Sequence, residues 1–510
     1  MTLTDLRPAT SQESLRGSAK RRWAALVVLM FPVLLISVDN TALTFAVPSL
    51  ARDLQPSGNQ LLWIIDVYPL VLAALLVAMG ALGDRIGRRR ILLIGATGFA
   101  AVSAAAAFAP DAAWLIVARA ALGFFGAMLM PATLSLIRNI FTDDSERRRA
   151  IAIWAAGFSG GAALGPLAGG WLLEHYTWSS IFLMAVPVLV PLLVLGPLLL
   201  PEYKDPHPGP VDPIGIALVT AALGAFVLAV KTAGSGEGWL PAVAVGVVAI
   251  VSGVAFVRRM LAAEHPMLDV RLFGNRIFSG ALVVNLVSVF AFVGFIYFLS
   301  QHVQLIAGRS PMQAAVLMIP GLVLTVTFGL LAVPATRRWG PRRVVVAGLL
   351  LNALGYAVVA VGGSGGALVA LLIGFMILSA GVGMAETISN DLALSAVPPA
   401  KAGAASAVSE TAYEVGAVLG TAVLGTLLNV AFRTGLEIPA GVPADLAAQA
   451  DDTLGGAFAV AEQLPADLAD ALLASAATAF DHGVLLIAGV GCLFSLGIAA
   501  MARRALRDAA

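Results

Sequence analysis

The strongest constraint on this chain is a series of apolar runs of about 20 residues or more, the length that an α-helix needs to cross the hydrocarbon core of a bilayer. Backbone groups in hydrocarbon have no water to bond, so each run must be helical. The 510-residue sequence is 59% hydrophobic and 12% charged, unlike a soluble domain. We therefore predict an all-α membrane protein whose fourteen spans lie near residues 24–48, 61–82, 91–109, 113–136, 150–173, 179–200, 213–232, 240–259, 277–303, 313–335, 343–362, 367–394, 402–431 and 483–503.

The charges between the spans indicate how the chain is oriented in the membrane. Arginine clusters occupy the loops after spans two, four, eight and ten, and basic residues flank the first and last spans. Basic loops stay in the cytoplasm, so both termini are predicted there, with residues 1–22 as a cytoplasmic tail. The apolar run after this tail is too long for a signal peptide and is predicted to be retained. Residues 433–482 are acidic and rich in alanine, and we predict that they form an external helical hairpin.

A compact charged bend, Gly80 to Arg90, separates spans two and three. Its glycines allow two backbones to approach closely, Asp84 is expected to cap the helix that follows, and its arginines hold the bend on the cytoplasmic side. An ordinary positive-inside loop is the alternative interpretation. A second copy, residues 336–343 between spans ten and eleven, keeps the glycine and the basic pairs but lacks the acid.

The two copies of the bend indicate an internal repeat. They occupy matching positions in two six-span halves if spans seven and eight are an insertion, which is the arrangement of parallel repeats in transporters. The predicted organisation is an N-terminal six-helix bundle at 23–200, two additional helices with linkers at 201–276, and a C-terminal six-helix bundle at 277–510 that includes the external hairpin.

Ionisable side chains inside the spans form the candidate site. Asp39 lies near the middle of the first span, where an ionised carboxylate costs several kcal/mol unless it is solvated or paired. Arg119 is the basic residue well inside the first six spans, so the sequence predicts an ion pair between Asp39 and Arg119. The pair is the candidate switch for proton coupling, and a purely structural ion pair is the alternative.

Further acids lie inside the spans, and the later spans offer no matching lysine or arginine. These acids are Asp66, Glu386, Asp391, Glu410 and Glu414. Either some of them are protonated or a cation completes the site, and both cases suit an exchange of protons for a cationic substrate. For each acid, a solvated position at the membrane edge or a bond to the backbone is the alternative. Trp63 and Tyr68 can offer cation–π faces near Asp66, with lipid or interface anchoring as the alternative.

Several chemistries find no support in the sequence. The histidines lack metal-ligand spacing, no phosphate loop of the GxxxxGK[ST] kind is present, and the single cysteine, Cys492, allows no intramolecular disulfide. No nucleophile, metal set or acid–base pair converges in a loop, so a membrane enzyme is the least supported class. We predict no catalytic residue, metal, cofactor or nucleic-acid partner, and an energy source other than ATP.

Four motifs resemble those of the major facilitator superfamily. Gly80 to Arg90 resembles the loop motif, residues 115–127 the fourth-span motif, and residues 161–170 the fifth-span motif associated with antiporters. Asp39-Asn40-Thr41, followed by Ala46 and Pro48, resembles the first-span motif of drug:proton antiporters. Leu122 departs from the glutamine that the family often has, which bears on the hydrogen bonds around Arg119. With its fourteen predicted spans, the chain is similar to the branch that contains quaternary-ammonium and multidrug efflux pumps.

The resemblance implies a major facilitator fold of two six-helix bundles plus two inserted helices. It implies a proton-coupled antiporter that exports lipophilic cations, such as quaternary ammonium compounds, dyes and cationic drugs, by alternating access. The expected partners are these cations, protons and membrane lipids, and the expected state is a monomer in the cell membrane. An acid at position 66 is not general in the family. In this respect the chain resembles pumps that favour cationic, including dicationic, substrates.

The predicted roles divide the candidate residues into three groups. Proton coupling is assigned to Asp39 and Arg119. Substrate binding is assigned to Asp66, Glu386, Asp391, Glu410, Glu414, Trp63 and Tyr68. Conformational gating is assigned to Gly80, Asp84, Arg85, Gly87, Arg88, Gly165 and Pro166, and the family resemblance implies that Asp84 holds the cytoplasmic side closed.

Two other functions stay open. The chain can be an exporter of an endogenous amphiphile, such as a lipid or a secreted metabolite, because the external hairpin and the two added spans suit either task. It can also be a membrane receptor or scaffold that transports nothing, in which case the intramembrane acids are structural.

Overall fold

The computed structural model of the chain describes residues 19–204, 211–234, 239–264, 266, 268–362, 367–397 and 402–507. Most of the predicted cytoplasmic tail, residues 1–18, therefore lies outside the described residues. Fourteen helical segments are long and apolar enough to cross a membrane, so the predicted number of spans is confirmed.

The N-terminal half of the molecule consists of the first seven helices, the last two of which together form the sixth span. They are α1 (Ala19–Leu54), α2 (Gly58–Ile86), α3 (Arg88–Ala106), α4 (Ala112–Ile140), α5 (Asp144–His175), α6 (Ser179–Leu183) and α7 (Ala185–Leu199). Two further helices follow, α8 (Pro213–Ala233) and α9 (Trp239–Ala262), and they pack mainly against each other.

The C-terminal half consists of nine helices, a 3-10 turn at Val270–Gly274 and two π-helical segments at His302–Ile306 and Gly420–Gly425. The helices are α10 (Arg276–Gln301), α11 (Pro311–Trp339), α12 (Pro341–Gly362), α13 (Ala367–Ser395), α14 (Ala402–Leu419), α15 (Thr426–Gly435), α16 (Ala444–Asp452), α17 (Leu454–Ala461) and α18 (Ala466–Ala505). The thirteenth span is α14, the second π-helical segment and α15 in succession.

The internal repeat appears in the local geometry of α2 and α11. Both helices have 29 residues, and both begin with a capping box, formed by Ser57 with Gln60 in α2 and by Ser310 with Gln313 in α11. Each helix ends at a glycine with positive φ, and the next helix starts directly after it. This left-handed backbone, which favours glycine, occurs at Gly87 (φ +117°) and Gly340 (φ +78°).

The helix that contains the last span begins before the predicted span. The apolar run starts at residue 483, but α18 already begins at Ala466, because residues 466–482 are rich in alanine and contain no glycine or proline to stop a helix. The second arm of the predicted hairpin is therefore continuous with the last span. α16 and α17 form the remaining part, and Asp452 accepts a hydrogen bond of 3.1 Å from the Gly58 N–H at the start of α2.

The two halves contact each other at the side that the loop charges assign to the exterior. Ser300 Oγ donates to the Thr44 carbonyl oxygen at 3.2 Å, which joins α10 to α1. A Cβ atom added to Gly170 of α5 would lie 3.0 Å from the Met312 Cα atom of α11. The predicted external ends of the halves are thus packed directly against each other.

Candidate functional site

Asp39 and Arg119 form a buried ion pair at the centre of the N-terminal half. Arg119 Nη1 lies 2.7 Å from Asp39 Oδ2, and the two side chains are 2% and 5% exposed. Arg119 Nε also donates to the Ile64 carbonyl oxygen at 3.1 Å, and the guanidinium lies 4.5 Å from the centroid of the Tyr68 ring. The pair that the sequence predicts therefore forms and joins α1, α2 and α4. Its role in proton coupling stays a prediction.

Asp66 has a partner that the sequence analysis did not assign to it. Lys231, near the predicted external end of α8, places Nζ 2.9 Å from Asp66 Oδ2, with both side chains buried. Thr421 donates a hydrogen bond to the other carboxylate oxygen, Oδ1. Lys231 Nζ also lies 4.0 Å from the centroid of the Trp63 ring.

This arrangement corrects two expectations. Asp66 is not part of an uncompensated surplus of acids, because Lys231 neutralises it. Trp63 and Tyr68 do offer cation–π faces, but the cations over them belong to the protein, namely Lys231 and Arg119. The available signal was a lysine inside an apolar run, which needs a partner or a route to water.

The three glutamates of the later spans lie together where the halves meet. Glu414 is 1% exposed, its carboxyl lies close to the Asn40 side chain of α1, and its Oε2 has no hydrogen-bond partner. Glu386 and Glu410 are half-buried, and all three carboxyls are close enough to Tyr413 to interact with it electrostatically. Within the described ranges, no lysine or arginine forms a salt bridge with any of the three.

The glutamate group, defined as Glu386, Glu410 and Glu414, adjoins the ion pair of the N-terminal half. Asn40, which lies close to Glu414, is next to Asp39 in the sequence, and the Glu414 carboxyl is also near the Tyr68 hydroxyl. Phe158 of α5 packs edge-on against Tyr413 with ring centroids 5.9 Å apart. Acids from one half thus lie close to residues that adjoin the ion pair of the other half.

Asp391 is not part of the glutamate group. It follows Glu386 by five positions on α13, which is a rotation of about 140° around the helix axis, and its side chain is exposed. Among the described residues, no cluster of three or more histidine, cysteine or acidic side chains has the arrangement of a metal site.

The charged bend is held by an acid that the sequence analysis missed. Asp84 forms an ion pair with Arg88, one helical turn later, at 2.5 Å. The N-cap of α3 is Gly87, so the expectation that Asp84 caps this helix is wrong. Glu202, which follows α7, accepts the hydrogen bond of the Arg89 N–H at 3.1 Å, and the Tyr203 carbonyl oxygen accepts that of the Arg88 N–H at 2.8 Å. A carboxylate at a helix N-terminus is favourable because of the helix dipole. The available signal was the position of Glu202, an acid directly after span six and on the same predicted cytoplasmic side as the basic bend.

The remaining gating candidates differ in their surroundings. Arg85 is exposed, and a Cβ atom added to Gly80 would make ordinary contact with Pro131 of α4 at 3.7 Å. A Cβ atom added to Gly165 would instead collide with Thr41 Oγ1 of α1. Pro166 is buried next to it. α5 therefore crosses α1 too closely for a side chain at Gly165, at a point two residues beyond Asp39.

Comparison with known proteins agrees with this architecture. The sequence pattern of the Major Facilitator Superfamily matches residues 29–421. The chain is 52% identical over 487 residues to the "Multidrug efflux pump LfrA" of Mycolicibacterium smegmatis, covering 96% of this chain and 97% of the relative. It is 37% identical over 494 residues to the "Methyl viologen resistance protein SmvA" of Salmonella typhimurium, covering 93% and 98%.

Solved structures share the fold at low sequence identity. The inward-facing, unoccupied crystal structure of a bacterial homologue of the human lysosomal transporter Spinster aligns with a TM-score of 0.66 at 18% identity, over 97% of this chain and 99% of that one. The family match over most of the chain and the identities to two full-length relatives agree with the four motifs and with the fourteen helical spans. The chain therefore belongs to the Major Facilitator Superfamily.

Proposed function

We propose that the protein is a proton-coupled antiporter that exports lipophilic cations across the cell membrane. The observation that carries the proposal is the glutamate group, which lies at the contact between the halves without a salt bridge from the described residues. A carboxylate inside a membrane protein is stable only when it is protonated, paired or solvated. Protons and a substrate cation therefore compete for the same acids, and this competition is the basis of exchange.

The Asp39–Arg119 pair supports the coupling step. Protonation of Asp39 removes the charge that holds Arg119 Nη1 at 2.7 Å, and Arg119 then interacts with Tyr68 and the Ile64 carbonyl oxygen alone. Asn40, the neighbour of Asp39, lies close to Glu414. A proton on Asp39 thus changes the contacts of α1, the helix whose Asn40 lies beside Glu414, a candidate substrate-binding acid.

The names of the relatives support the substrate class. One is a multidrug efflux pump and another confers resistance to methyl viologen, a dication. We propose a lipophilic cationic substrate for this chain as well, because its candidate substrate-binding residues are acids and aromatic side chains. The division into bundles at 23–200 and 277–510, with the inserted helices at 201–276, belongs to the same proposal. In it, the bend at Gly80 to Arg90 and the close crossing at Gly165 and Pro166 control the closure of the cytoplasmic side.

Efflux of ethidium from energised cells tests the proposal. Asp39→Asn keeps the size of the side chain and removes its charge, so we expect proton-driven efflux to be abolished. Asp53→Asn, an exposed acid near the end of the same helix, is the matched control and should retain efflux. Unchanged efflux by the Asp39 variant would exclude the coupling role.

Proton release by the purified protein separates transport from a scaffold function. Addition of a cationic substrate should displace protons from the glutamate group into the medium. A receptor or scaffold with structural acids releases none, and an exporter of an endogenous amphiphile shows no preference for the positively charged compounds. A panel of neutral, monocationic and dicationic compounds therefore distinguishes the three functions.

A further inference from the structure

The pocket that holds Lys231 has the chemistry of a cation site. Lys231 Nζ is 2.9 Å from Asp66 Oδ2 and 4.0 Å from the centroid of the Trp63 ring, and Thr421 donates to the second oxygen of Asp66. A carboxylate beside an aromatic face is how proteins hold organic ammonium groups. The lysine side chain itself ends in an alkylammonium group. The pocket therefore already binds an organic cation, which is the class of ligand that its carboxylate and aromatic ring suit.

The helix that supplies Lys231 is otherwise peripheral. The structure describes all 21 residues of α8, and its buried residues are Gly215, Val227 and Lys231. Val227 packs in a small apolar cluster with Leu70 of α2 and Val418 of α14. A segment with so few buried contacts can move at low cost. Lys231 is thus a buried charge on a loosely attached helix.

The pocket also joins three parts of the molecule. Asp66 belongs to the N-terminal half, Lys231 to the inserted helices, and Thr421 to the π-helical segment Gly420–Gly425 of the C-terminal half. π-Helical turns inside α-helical spans are frequent at functional sites. Trp63 is half-buried, which leaves one side of the pocket less enclosed than the Asp66 carboxylate. Any movement of one half against the other changes this pocket.

We propose that Lys231 is a tethered competitor of the substrate, and that a cationic group of the substrate binds between Asp66 and Trp63 in its place. The proposal rests on the proposed function, because it concerns how the exporter recognises cations. With no substrate present, Lys231 prevents Asp66 from being an unpaired buried charge. With a dication bound, one positive group occupies the Asp66 pocket and the other faces the glutamate group.

The first test removes the competitor. Lys231→Met keeps an unbranched side chain of similar length and removes the charge. If Lys231 fills the pocket for about nine-tenths of the time, its removal raises the apparent affinity for a competing cation about tenfold. The measurement is equilibrium binding of methyl viologen to the purified full-length protein without a proton gradient. We expect binding at least about tenfold tighter, and a smaller change for the monocationic analogue that lacks one N-methyl group.

The gain must depend on Asp66. The double variant Asp66→Asn with Lys231→Met should lose the increase in affinity, because the pocket no longer carries a negative charge. Lys20→Met, which removes an exposed lysine at the start of α1, is the matched control and should bind as the unmodified protein does. The proposal is wrong if folded Lys231→Met binds methyl viologen no tighter, or if the gain persists in the double variant.

Three further variants keep the test decisive if Lys231→Met does not fold. Lys231→Gln retains a hydrogen-bond donor for Asp66 without the charge and should show the same gain, whereas Lys231→Arg retains the charge and should show none. Asp66→Asn alone should weaken methyl viologen binding; an unchanged affinity would mean that Asp66 and Lys231 are a structural tie. Binding is measured without transport, so the two proposals can fail separately. A failure of cation export would refute the proposed function, whereas the binding assay alone decides whether Lys231 competes with the substrate.

Discussion

At the scale of single residues, the site depends on which charges have resident partners. Asp39 and Asp66 are each paired with a basic side chain of the protein, and both basic groups lie over aromatic rings. The glutamate group has no such partner among the residues that the structure describes. A ligand cation gains most where a negative charge is uncompensated, so the glutamate group is the strongest candidate for substrate charge recognition.

Glu414→Gln should weaken the binding of cationic substrates. The substitution keeps the size of the side chain and removes the charge, and a hydrogen bond to a charged group contributes about 1.5–3 kcal/mol, or roughly 10- to 150-fold in affinity. Binding of ethidium to the purified protein measures the effect. Glu437→Gln, at an exposed position, serves as the control. Equal affinities of the Glu414 variant and the unmodified protein would remove Glu414 from the binding site.

At the scale of elements, close helix crossings set the geometry of the site. Gly161 and Gly165 of α5 face Ser37 and Thr41 of α1, on either side of Asp39. Small residues at this spacing let two helical backbones approach until side chain meets backbone. The position of Asp39 relative to α5 is therefore determined by residues that carry no charge.

Gly165→Ala should disrupt this crossing. The added methyl group collides with Thr41 Oγ1, and overpacking of this kind costs about 1–3 kcal/mol. Gly160→Ala, in the same helix, is the matched control, because a Cβ atom there has no neighbour within 4 Å. We expect a lower melting temperature and slower efflux for the first variant and unchanged or higher stability for the second. Similar melting temperatures for both would contradict the packing argument.

Alanine at the two repeated glycines should separate backbone strain from contact with Glu202. Positive φ costs a non-glycine residue about 1–2 kcal/mol, and this applies to both Gly87→Ala and Gly340→Ala. At Gly87 the methyl group also collides with Glu202 Oε1, whereas at Gly340 it meets no atom within 4 Å.

Gly87→Ala should therefore reduce the melting temperature and the efflux rate more than Gly340→Ala does. In a Glu202→Ala background, where the colliding carboxylate is absent, the two variants should become similar. A larger effect at Gly340 in the unmodified background would refute the role of Glu202 at the bend.

At the scale of the whole molecule, the two halves meet through the site and at the predicted external ends. The contacts between Ser300 and Thr44 and between Gly170 and Met312 must separate if the protein opens to that side. Helix packing inside each half can persist during such a movement, because packed interfaces behave as rigid units.

Cysteines at Gly170 and Met312 should lock the molecule when they are oxidised. The Cβ atom added to Gly170 lies 3.0 Å from Met312 Cα, within reach of a disulfide. In a Cys492→Ser background, we expect the oxidised pair to abolish ethidium efflux and a reductant to restore it. A pair at Gly435 and Ala479, whose Cβ atoms would be 3.4 Å apart within the C-terminal half, should cross-link without this loss. Continued efflux by the locked protein would exclude opening at these ends.

The sequence alone determined the number of spans and the Asp39–Arg119 pair. A bilayer requires an apolar helix of about 20 residues, so the spans can be read from local composition. The pair followed because two opposite charges lay inside the same six spans. The helix of the last span begins at Ala466, 17 residues before the predicted start of the span at 483, because hydropathy reports where the hydrocarbon begins and not where the helix begins.

Only the tertiary structure decided which partner each remaining charge has. Lys231 reaches Asp66 because one face of α8 packs where the halves meet, and Glu202 reaches the bend because α7 ends beside α3. In a membrane protein, the lipid-facing and the protein-facing sides of a helix are both apolar, so the sequence of α8 does not reveal which side is buried. The partners of buried charges therefore depend on helix packing between distant segments, which local sequence does not encode.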